Sequence, residues 1–304
     1  MKEDSVMNNS FDIITDSTSD LSLALREKFD IDYCLMEFSD EERNYMASLD
    51  WSDISYKEFY DSMRQGKRYK TVQVPVKTFD EKFRAHLEKG RDILYIACSS
   101  GLSGSVNTAK VISNELVSAF PGRKIICIDS LISGMGQGSM AIMASKMREE
   151  GKSLEETAAR IEENKFFFNQ YGTTESLEYL KAAGRVTASS AFFGNLFSVK
   201  PILISDLEGH NLAVKKVKGR KSSLDELAIM TAKYITNPLE QTVYIGHADA
   251  EESAKAVADK IRELIPDVNT ELYVIGPIVG ASVGPGTVIV FYTGKNKKEQ
   301  LNGN

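Results

Sequence analysis

A loop of small hydroxyl residues and glycines occupies residues 98–107, between an apolar stretch and a stretch with helical periodicity. The apolar stretch at 92–97 predicts a buried parallel strand, and apolar residues recur at helical spacing from Val106 to Ala119. A helix that begins here directs free backbone N–H groups and a partial positive charge at the loop, which suits an anionic group. The loop also offers four serine hydroxyls, at positions 99, 100, 103 and 105. A serine-rich turn that only caps the helix explains the same residues equally well.

Further polar loops follow other apolar stretches of the chain, and each is short. They lie at residues 16–18, Thr71, Ser130 and residues 280–286. If the stretches before them are neighbouring strands, these loops form one rim around a small anionic or hydroxyl-rich group. A rim that holds its ligand by neutral hydrogen bonds, with no metal and no base, fits binding better than catalytic turnover.

Two catalytic signatures are incomplete in this chain. Residues 101–105 miss the G-x-S-x-G nucleophile elbow of serine hydrolases, because Ser105 stands where the second glycine should be. The glycines within residues 134–138 resemble a dinucleotide-binding fingerprint, but its last glycine is replaced by Ser139. Neither segment therefore predicts an active site.

The histidines and cysteines likewise give no metal or catalytic pattern. The chain has three of each, without the spacing of metal ligands, so we expect neither a metal nor a cofactor. His86, inside a predicted helix, and His210, at a predicted hairpin tip, are expected to be surface residues. His247 ends a predicted strand and is the one histidine that we retain as a candidate base.

Composition limits the class of protein. The chain has 304 residues and a formal net charge of −6, which argues against nucleic acid as its main partner. Its three cysteines, Cys34, Cys98 and Cys127, are widely spaced, which favours free thiols in a reducing compartment. No apolar stretch approaches the about 18 residues needed to cross a membrane. We therefore expect a cytoplasmic protein without membrane spans.

The order of the predicted elements indicates two domains. In the first half, apolar stretches alternate with amphipathic ones, which predicts a parallel sheet with helices on both faces and a ligand site at the carboxyl ends of its strands. Later the pattern changes to a strand at 165–172, an apolar helix at 185–197 and an antiparallel hairpin around 206–210. We predict an α/β protein with an N-terminal domain at 1–160, a C-terminal domain with mixed strands at 161–304, and a cleft between them.

Two local patterns carry further expectations. Residues 39–69 are charged and aromatic, which predicts either a flap over a cleft or a solvated surface excursion. Thr78 with Glu81 forms a capping-box pattern at the start of a helix, as does Ser153 with Glu156.

Six short motifs are spread over nearly the whole chain. They are TDSTSDL at 15–21, KTVQV at 70–74, SSGLSGS at 99–105, LEYLKAAGR at 177–185, KPIL at 200–203, and GPIVG with GPG at 276–286. In this order the motifs make the chain resemble the DegV family of fatty-acid-binding proteins, which includes the acyl-carrying subunit of bacterial fatty acid kinase. Six ordered motifs are far more specific than any one of them.

The resemblance implies a two-domain α/β fold with one long-chain fatty acid in a tunnel between the domains. It implies that Thr71 and Ser103, with the Gly104 amide nearby, hold the carboxylate. In the family a histidine of the last glycine motif completes this head-group site, and here Ser282 stands in its place. A serine donates one hydrogen bond but carries no positive charge, so we expect weaker carboxylate affinity or a different head group. Ala281 and Val72 also depart from the family pattern.

The resemblance also implies a role for the protein in lipid metabolism. It is expected to bind a fatty acid without being a catalyst, and to present the carboxylate to a separate kinase for acyl-phosphate formation. Arg185 resembles the family arginine that follows a helix near the mouth of the cleft, and the resemblance implies a role in docking the kinase. A surface arginine at a helix end is equally consistent with the sequence. Two alternatives remain: a phosphotransferase subunit related to dihydroxyacetone kinases, with His247 as the residue to test, and a lipid-binding regulator without a kinase partner.

Aromatic residues are the candidates for the walls of the tunnel. Those that we single out are Phe166, Phe167, Phe168, Phe192, Phe193, Leu196 and Phe197. Each could equally be an ordinary core residue, since buried aromatic side chains usually are.

Overall fold

A computed structural model of the chain describes residues 11–187 and 199–302. Its N-terminal part is built on four parallel strands in the order β2-β1-β6-β7. Their bounds are β1 (Phe11–Asp16), β2 (Ile31–Cys34), β6 (Asp92–Ala97) and β7 (Ile125–Asp129). The two central strands are buried almost throughout because helices cover both faces of the sheet, as is usual for parallel sheets. The predicted parallel sheet is confirmed.

Five helices pack around this sheet. They are α1 (Leu23–Phe29), α3 (Val76–Leu87), α4 (Ser105–Ala119), α5 (Met135–Glu149) and α6 (Leu154–Asn164). Ser153 and Glu156 form the predicted capping box at the start of α6. The box predicted for Thr78 and Glu81 is wrong, because α3 already begins at Val76 after Pro75. Proline presets the backbone for a helix start, so this end needs no hydroxyl cap.

The segment after β2 folds into a small packed unit instead of a solvated excursion. It contains β3 (Glu37–Ser39), β4 (Asn44–Met46), α2 (Tyr56–Arg64) and β5 (Lys70–Val72), and its strands pair in the order β4-β3-β5. Four aromatic rings form its core: Phe38 stacks on Tyr45 with centroids 4.9 Å apart, and Phe59 stacks on Tyr69 at 4.6 Å. Packing of these rings explains why a charged stretch is also rich in aromatic residues.

The C-terminal part is built on a six-stranded mixed sheet in the order β10-β9-β8-β13-β11-β12. The strands are β8 (Phe168–Thr173), β9 (Val199–Ser205), β10 (Asn211–Lys218), β11 (Thr242–His247), β12 (Asn269–Val274) and β13 (Val288–Thr293). Its helices are α7 (Glu178–Ala183), α8 (Arg220–Tyr234), α9 (Glu251–Leu264), α10 (Pro277–Val283) and α11 (Lys297–Asn302). The hairpin of β9 and β10 is antiparallel, as predicted, and among the described strands of this sheet β11 and β12 are the one parallel pair.

Three predicted elements differ from the structure. Lys165–Phe167 is a turn of 3-10 helix, so the strand predicted from 165 begins at Phe168. The glycine motif predicted as a loop forms α10 up to Val283, because Pro277 starts a helix readily. The apolar helix predicted at 185–197 is wrong at its start, since Thr187 bridges Leu212. Its remainder lies outside the described residues.

Two hydrogen bonds join the N-terminal part to the segment between β12 and α10. The Tyr60 hydroxyl donates to the Ile275 carbonyl (2.7 Å), and the Gly276 amide donates to Oδ1 of Asp20 (3.0 Å). Within the described ranges no helix has the length and apolar character that a membrane crossing requires. A division of the chain after residue 160 stays a prediction, and that position falls inside α6.

Candidate functional site

A cavity of about 300 Å³ lies between the two sheets. All five site residues named from the sequence line it: Thr71, Ser103, Gly104, Arg185 and Ser282. They come from β5, the loop before α4, the segment after α7, and α10. The fold therefore brings together residues more than 200 positions apart in the chain. The volume is at the lower end of the range of about 300–1,000 Å³ typical of small-molecule sites.

The loop before α4 presents the hydroxyl of Ser103 to the cavity. The Val74 amide donates to Oγ of Ser105 (3.1 Å), and the Ser105 and Ser103 hydroxyls are 3.0 Å apart. The Ser105 amide also donates to Oγ of Ser103 (3.3 Å). When Ser105 donates its proton to Ser103, the proton of Ser103 remains for an acceptor in the cavity. Ser105 thus links the segment after β5 to the loop before α4 beside Ser103.

Gly104 allows the side chain of Gln73 to pack against the loop before α4. A Cβ atom there would lie 2.0 Å from Oε1 of Gln73, whose amide donates to Oγ1 of Thr108 (2.9 Å). Gly104 also precedes the first residue of α4, a helix of 15 residues, so its end of the cavity receives the positive end of the helix dipole. Thr71 faces this loop from β5, where it pairs with Phe38.

Ser282 lies on α10, and its hydroxyl makes a long hydrogen bond to the Ile278 carbonyl (3.5 Å). At the position where the resemblance implies a histidine, this chain therefore has a small, neutral side chain that is directed along its own helix. Among the described lining residues the only charged side chain is that of Arg185. The site can offer several hydroxyl donors but only one cation.

Arg185 is exposed, yet it is held against the rim of the cavity. Its Nε donates to the Leu102 carbonyl (3.0 Å), the residue before Ser103. Its own carbonyl accepts from Nδ2 of Asn211 (3.0 Å). Arg185 thus links the loop before α4 to the first residue of β10.

The apolar wall of the cavity differs from the aromatic wall predicted from the sequence. It consists of Met36, Val72, Leu102, Ile278, Val279, Val283 and Ile289. Phe166, Phe167 and Phe168 do not line it: Phe167 is 36% exposed, and Phe168 lines a separate cleft with Phe29 and Phe291. The 3-10 turn before β8 takes Phe166 and Phe167 off the strand predicted for them, whereas Phe168 is the first residue of β8. Phe192, Phe193, Leu196 and Phe197 lie outside the described residues.

Sequence reasoning missed several polar residues of the cavity, among them Gln170 on β8 and Asn211 on β10. The Gln170 amide donates to Oδ1 of Asn211 (3.1 Å), and the Gln170 side chain is buried. A glutamine between Phe168 and Tyr171 in a buried strand was the available signal, because such strands are usually apolar throughout.

None of the three histidines lines the cavity. His247 is buried, which lowers its pKa, and its Nδ1 accepts from the Ala250 amide (3.3 Å). His86 was expected to be a surface residue, but its ring lies between two carboxylates. Its Nδ1 is 2.6 Å from Oδ2 of Asp12, and its Nε2 is 3.1 Å from Oδ2 of Asp32. These carboxylates raise the pKa of His86 to about 9. His210 lies at the hairpin tip, with 38% of its side chain exposed.

Hydroxyl, amide and apolar side chains make up most of the described lining of the cavity. Cys98 lines the cavity, but burial raises the pKa of its thiol, which makes it a poor nucleophile. Among the described residues no cluster of histidine, cysteine, aspartate and glutamate could hold a metal ion. The glycine at 134 packs against the ring of Phe291, and the one at 138 against the Ser19 carbonyl, so both serve close packing.

Comparison with known proteins gives one consistent family. Residues 10–295 match the model described as an uncharacterised protein of the DegV family. A DegV domain-containing protein from Clostridium perfringens is 37% identical over 290 residues, which cover 95% of this chain and 99% of that protein.

Two solved structures share the fold over most of the chain. A fatty-acid-binding DegV family protein from Thermus thermophilus is 26% identical with a TM-score of 0.82, covering 93% of this chain and 99% of that one. DegV from Bacillus subtilis, a fatty acid binding protein, is 25% identical with a TM-score of 0.80, covering 94% and 99%. The shared two-sheet α/β fold agrees with the match to the family model. This chain belongs to the DegV family.

Proposed function

We propose that this protein binds a long-chain fatty acid in the cavity between the sheets, with its carboxylate at Thr71, Ser103, Gly104 and Ser282. One observation carries this assignment: Thr71 and Ser103 come from different elements, yet line one cavity whose wall also contains seven apolar side chains. The similarity to fatty-acid-binding proteins from Thermus thermophilus and Bacillus subtilis supports it. The protein acts as a carrier and performs no chemistry on the acyl chain itself.

The acyl chain supplies most of the affinity in this proposal. Each buried methylene contributes roughly 0.8 kcal/mol, so a chain with about 14 of them gains roughly 11 kcal/mol before the cost of association. The hydroxyls then fix the position of the head group and select its class. A site with a single cation at its rim is consistent with this division of roles.

The binding proposal is tested on purified protein by denaturing mass spectrometry and by titration with palmitate and oleate. Ser103→Ala removes a donor to a charged group, which is worth about 1.5–3 kcal/mol, so we expect the dissociation constant to rise roughly tenfold or more. Ser100→Ala is the matched control, since Ser100 is an exposed serine of the same loop. Protein that carries no acyl chain and takes up neither acid contradicts the proposal.

We further propose that the loaded protein presents its carboxylate to a separate kinase in the cytoplasm. Arg185 supports this role, because it is exposed and lies beside the loop that carries Ser103. The test is ATP-dependent formation of acyl phosphate on the loaded protein when a DegV-type fatty acid kinase subunit is added. Arg185→Ala should lower the rate while fatty acid remains bound. Absence of any acyl phosphate would leave lipid binding without kinase partnership.

A further inference from the structure

A second and larger opening lies between the two halves of the molecule. It is a cleft of about 600 Å³ between helices α1 and α5 of the N-terminal half and one face of the C-terminal sheet. The rings of Phe29, Phe168 and Phe291 and the side chains of Ile142 and Met143 belong to its lining. The described linings of the cavity and of this cleft have no residue in common. The two openings are therefore separate, and the side chains at their boundary decide how far a ligand in the cavity can extend.

On the sheet, the cavity and the cleft follow each other along one face of β8 and β13. These strands pair antiparallel, and every second residue of a strand lies on the same face. On this face Ile289 and Gln170 line the cavity, whereas Phe291 and Phe168 line the cleft. Gln170 and Phe291 are direct partners in the strand pairing. The boundary between the cavity and the cleft therefore falls at this pair.

The opposite wall shows the same succession along the chain. Ser133 lines the cavity and Gly136 lines the cleft, with Gly134 between them. A Cβ atom at Gly134 would lie 2.7 Å from Cζ of Phe291, so the ring packs directly on the backbone of the N-terminal half. Phe291 is only 2% exposed, which leaves little space around the ring. Its side chain thus reaches from the sheet to the opposite wall at the boundary of the two openings.

We propose that the ring of Phe291 is the partition that closes the cavity towards the cleft, and that it limits the length of the fatty acid that the protein accepts. This inference rests on the proposed function and names a residue that selects the ligand by chain length. An acyl chain held at Thr71 and Ser103 that follows Ile289 meets this ring two residues, or about 7 Å, further along β13. Because protein interiors are close-packed, further methylenes fit there only if the ring is displaced.

The test offers delipidated protein an equimolar mixture of saturated fatty acids of 10 to 22 carbons and reads the bound acids by denaturing mass spectrometry. In the unchanged protein each added methylene should raise the relative affinity roughly three- to fourfold until the chain reaches the ring, where the gain stops. Phe291→Ala joins the cavity to the cleft, so the gain should continue for at least two more carbons. Phe291→Leu lowers stability less and should move the limit in the same direction. Every variant meets the same mixture, so differences in solubility between the acids cancel.

The same two substitutions at Phe83 are the matched control. Phe83 is a fully buried phenylalanine of the first core, and it belongs to the described lining of neither opening. Its replacement should lower stability without moving the length limit.

A second control fills the cleft from its other wall. Ser139 on α5 lines the cleft and is partly exposed. Ser139→Trp alone should leave the bound acids unchanged, because the partition keeps the chain out of the cleft. Combined with Phe291→Ala, it should return the limit to that of the unchanged protein, since the indole occupies the space that the longer chain enters.

Four results overturn the inference. They are a gain that continues through the whole series in the unchanged protein, an unmoved limit in both Phe291 variants, an equal shift in the Phe83 variants, and a longer limit that persists in the double variant. If palmitate binds in these cases, the proposed function stands and only the partition fails. If the unchanged protein binds none of the acids, the proposed function fails and the inference fails with it.

Discussion

The side chains at the head-group end of the cavity are small and mostly neutral. Thr71, Ser103 and Ser282 contribute hydroxyls, and Arg185 contributes the only charge among the described lining residues. Hydrogen bonds between a neutral donor and a carboxylate are strong enough to position it, but each lacks the added attraction of a full charge. The head-group site should therefore respond sharply to an added cation.

Ser282→His tests this expectation. An imidazole at this position is charged below its ordinary pKa of about 6.5, so carboxylate affinity should rise at pH 5.5 and fall back at pH 8. We expect palmitate to bind roughly tenfold more tightly at the lower pH, measured by titration at both values. Ser282→Asn, a neutral variant, should show no such pH dependence. An equal effect of both substitutions would contradict the account.

For single residues, the sequence predicts which motif residues line the cavity better than it predicts the other side chains around them. Thr71, Ser103 and Ser282 were identified through short motifs whose order is specific, and they do line one cavity. Gln170 was not identified, because it lies outside every motif and reaches the cavity only through the pairing of β8 with β13.

Among the elements, the hairpin of β9 and β10 positions the loop that carries Ser103. Gly209 at the hairpin tip has φ +79°, and a Cβ atom there would lie 2.0 Å from Oγ of Ser99 and 2.8 Å from Cα of Leu131. Ser99 in turn accepts the Gly101 amide at its hydroxyl (3.1 Å) and the Ser103 amide at its carbonyl (2.9 Å). Gly209 at the hairpin tip thus packs against Ser99, whose hydrogen bonds hold the loop before α4.

Gly209→Ala should therefore reduce both stability and ligand affinity. Gly122→Ala is a matched control, because Gly122 has φ +84° with nothing within 4 Å of the added Cβ. The control carries only the left-handed strain of about 1–2 kcal/mol, whereas Gly209→Ala adds a steric cost of about 1–3 kcal/mol. Chemical denaturation and palmitate titration measure the two effects. Equal losses of stability in both variants would show that the tip is not packed as described.

The regular elements were predictable where one residue pattern dominates. β6 and β7 of the first sheet are nearly continuous apolar stretches, and the β9–β10 hairpin has an obvious turn at 206–210. The packed unit around Phe38 was not predictable, since its charged residues conceal a core that forms only when four distant rings meet. The start of α10 at Pro277 was also missed, because glycines around it favoured a loop.

For the molecule as a whole, Asp20 is a buried carboxyl at the contact between the two halves. Its Oδ1 accepts the Gly276 amide before α10, and its Oδ2 has no partner. Burial raises the pKa of Asp20 to about 8, although the hydrogen bond from Gly276 opposes the shift. The neighbouring hydroxyls of Tyr60 and Tyr273 stay neutral in this range, because burial raises the pKa of each well above 10.

Asp20 should make stability depend on pH in a definite direction. The folded protein holds this proton more tightly than the unfolded chain, so the contribution is present below about pH 4 and is lost as pH rises towards 8. Each such proton changes the free energy of unfolding by about 1.4 kcal/mol per pH unit. Asp20→Asn should flatten the decline between pH 5 and 8, measured by denaturation at each pH.

Asp267→Asn provides the control for this measurement, because Asp267 is an exposed aspartate that also has a positive φ. It should leave the pH dependence as it is in the unchanged protein. The same decline in both variants would mean that Asp20 is not buried as a neutral acid. The two halves and their cleft were predictable from the changing pattern of elements, but this contact arises only from the tertiary packing of residues 256 positions apart.

The most direct measurement of the central claim is a crystal structure of the protein with bound palmitate. The account predicts the carboxylate within about 3 Å of the hydroxyls of Thr71 and Ser103, and the chain along Ile278, Val283 and Ile289. An acyl chain bound elsewhere, or a carboxylate that touches neither hydroxyl, would contradict it.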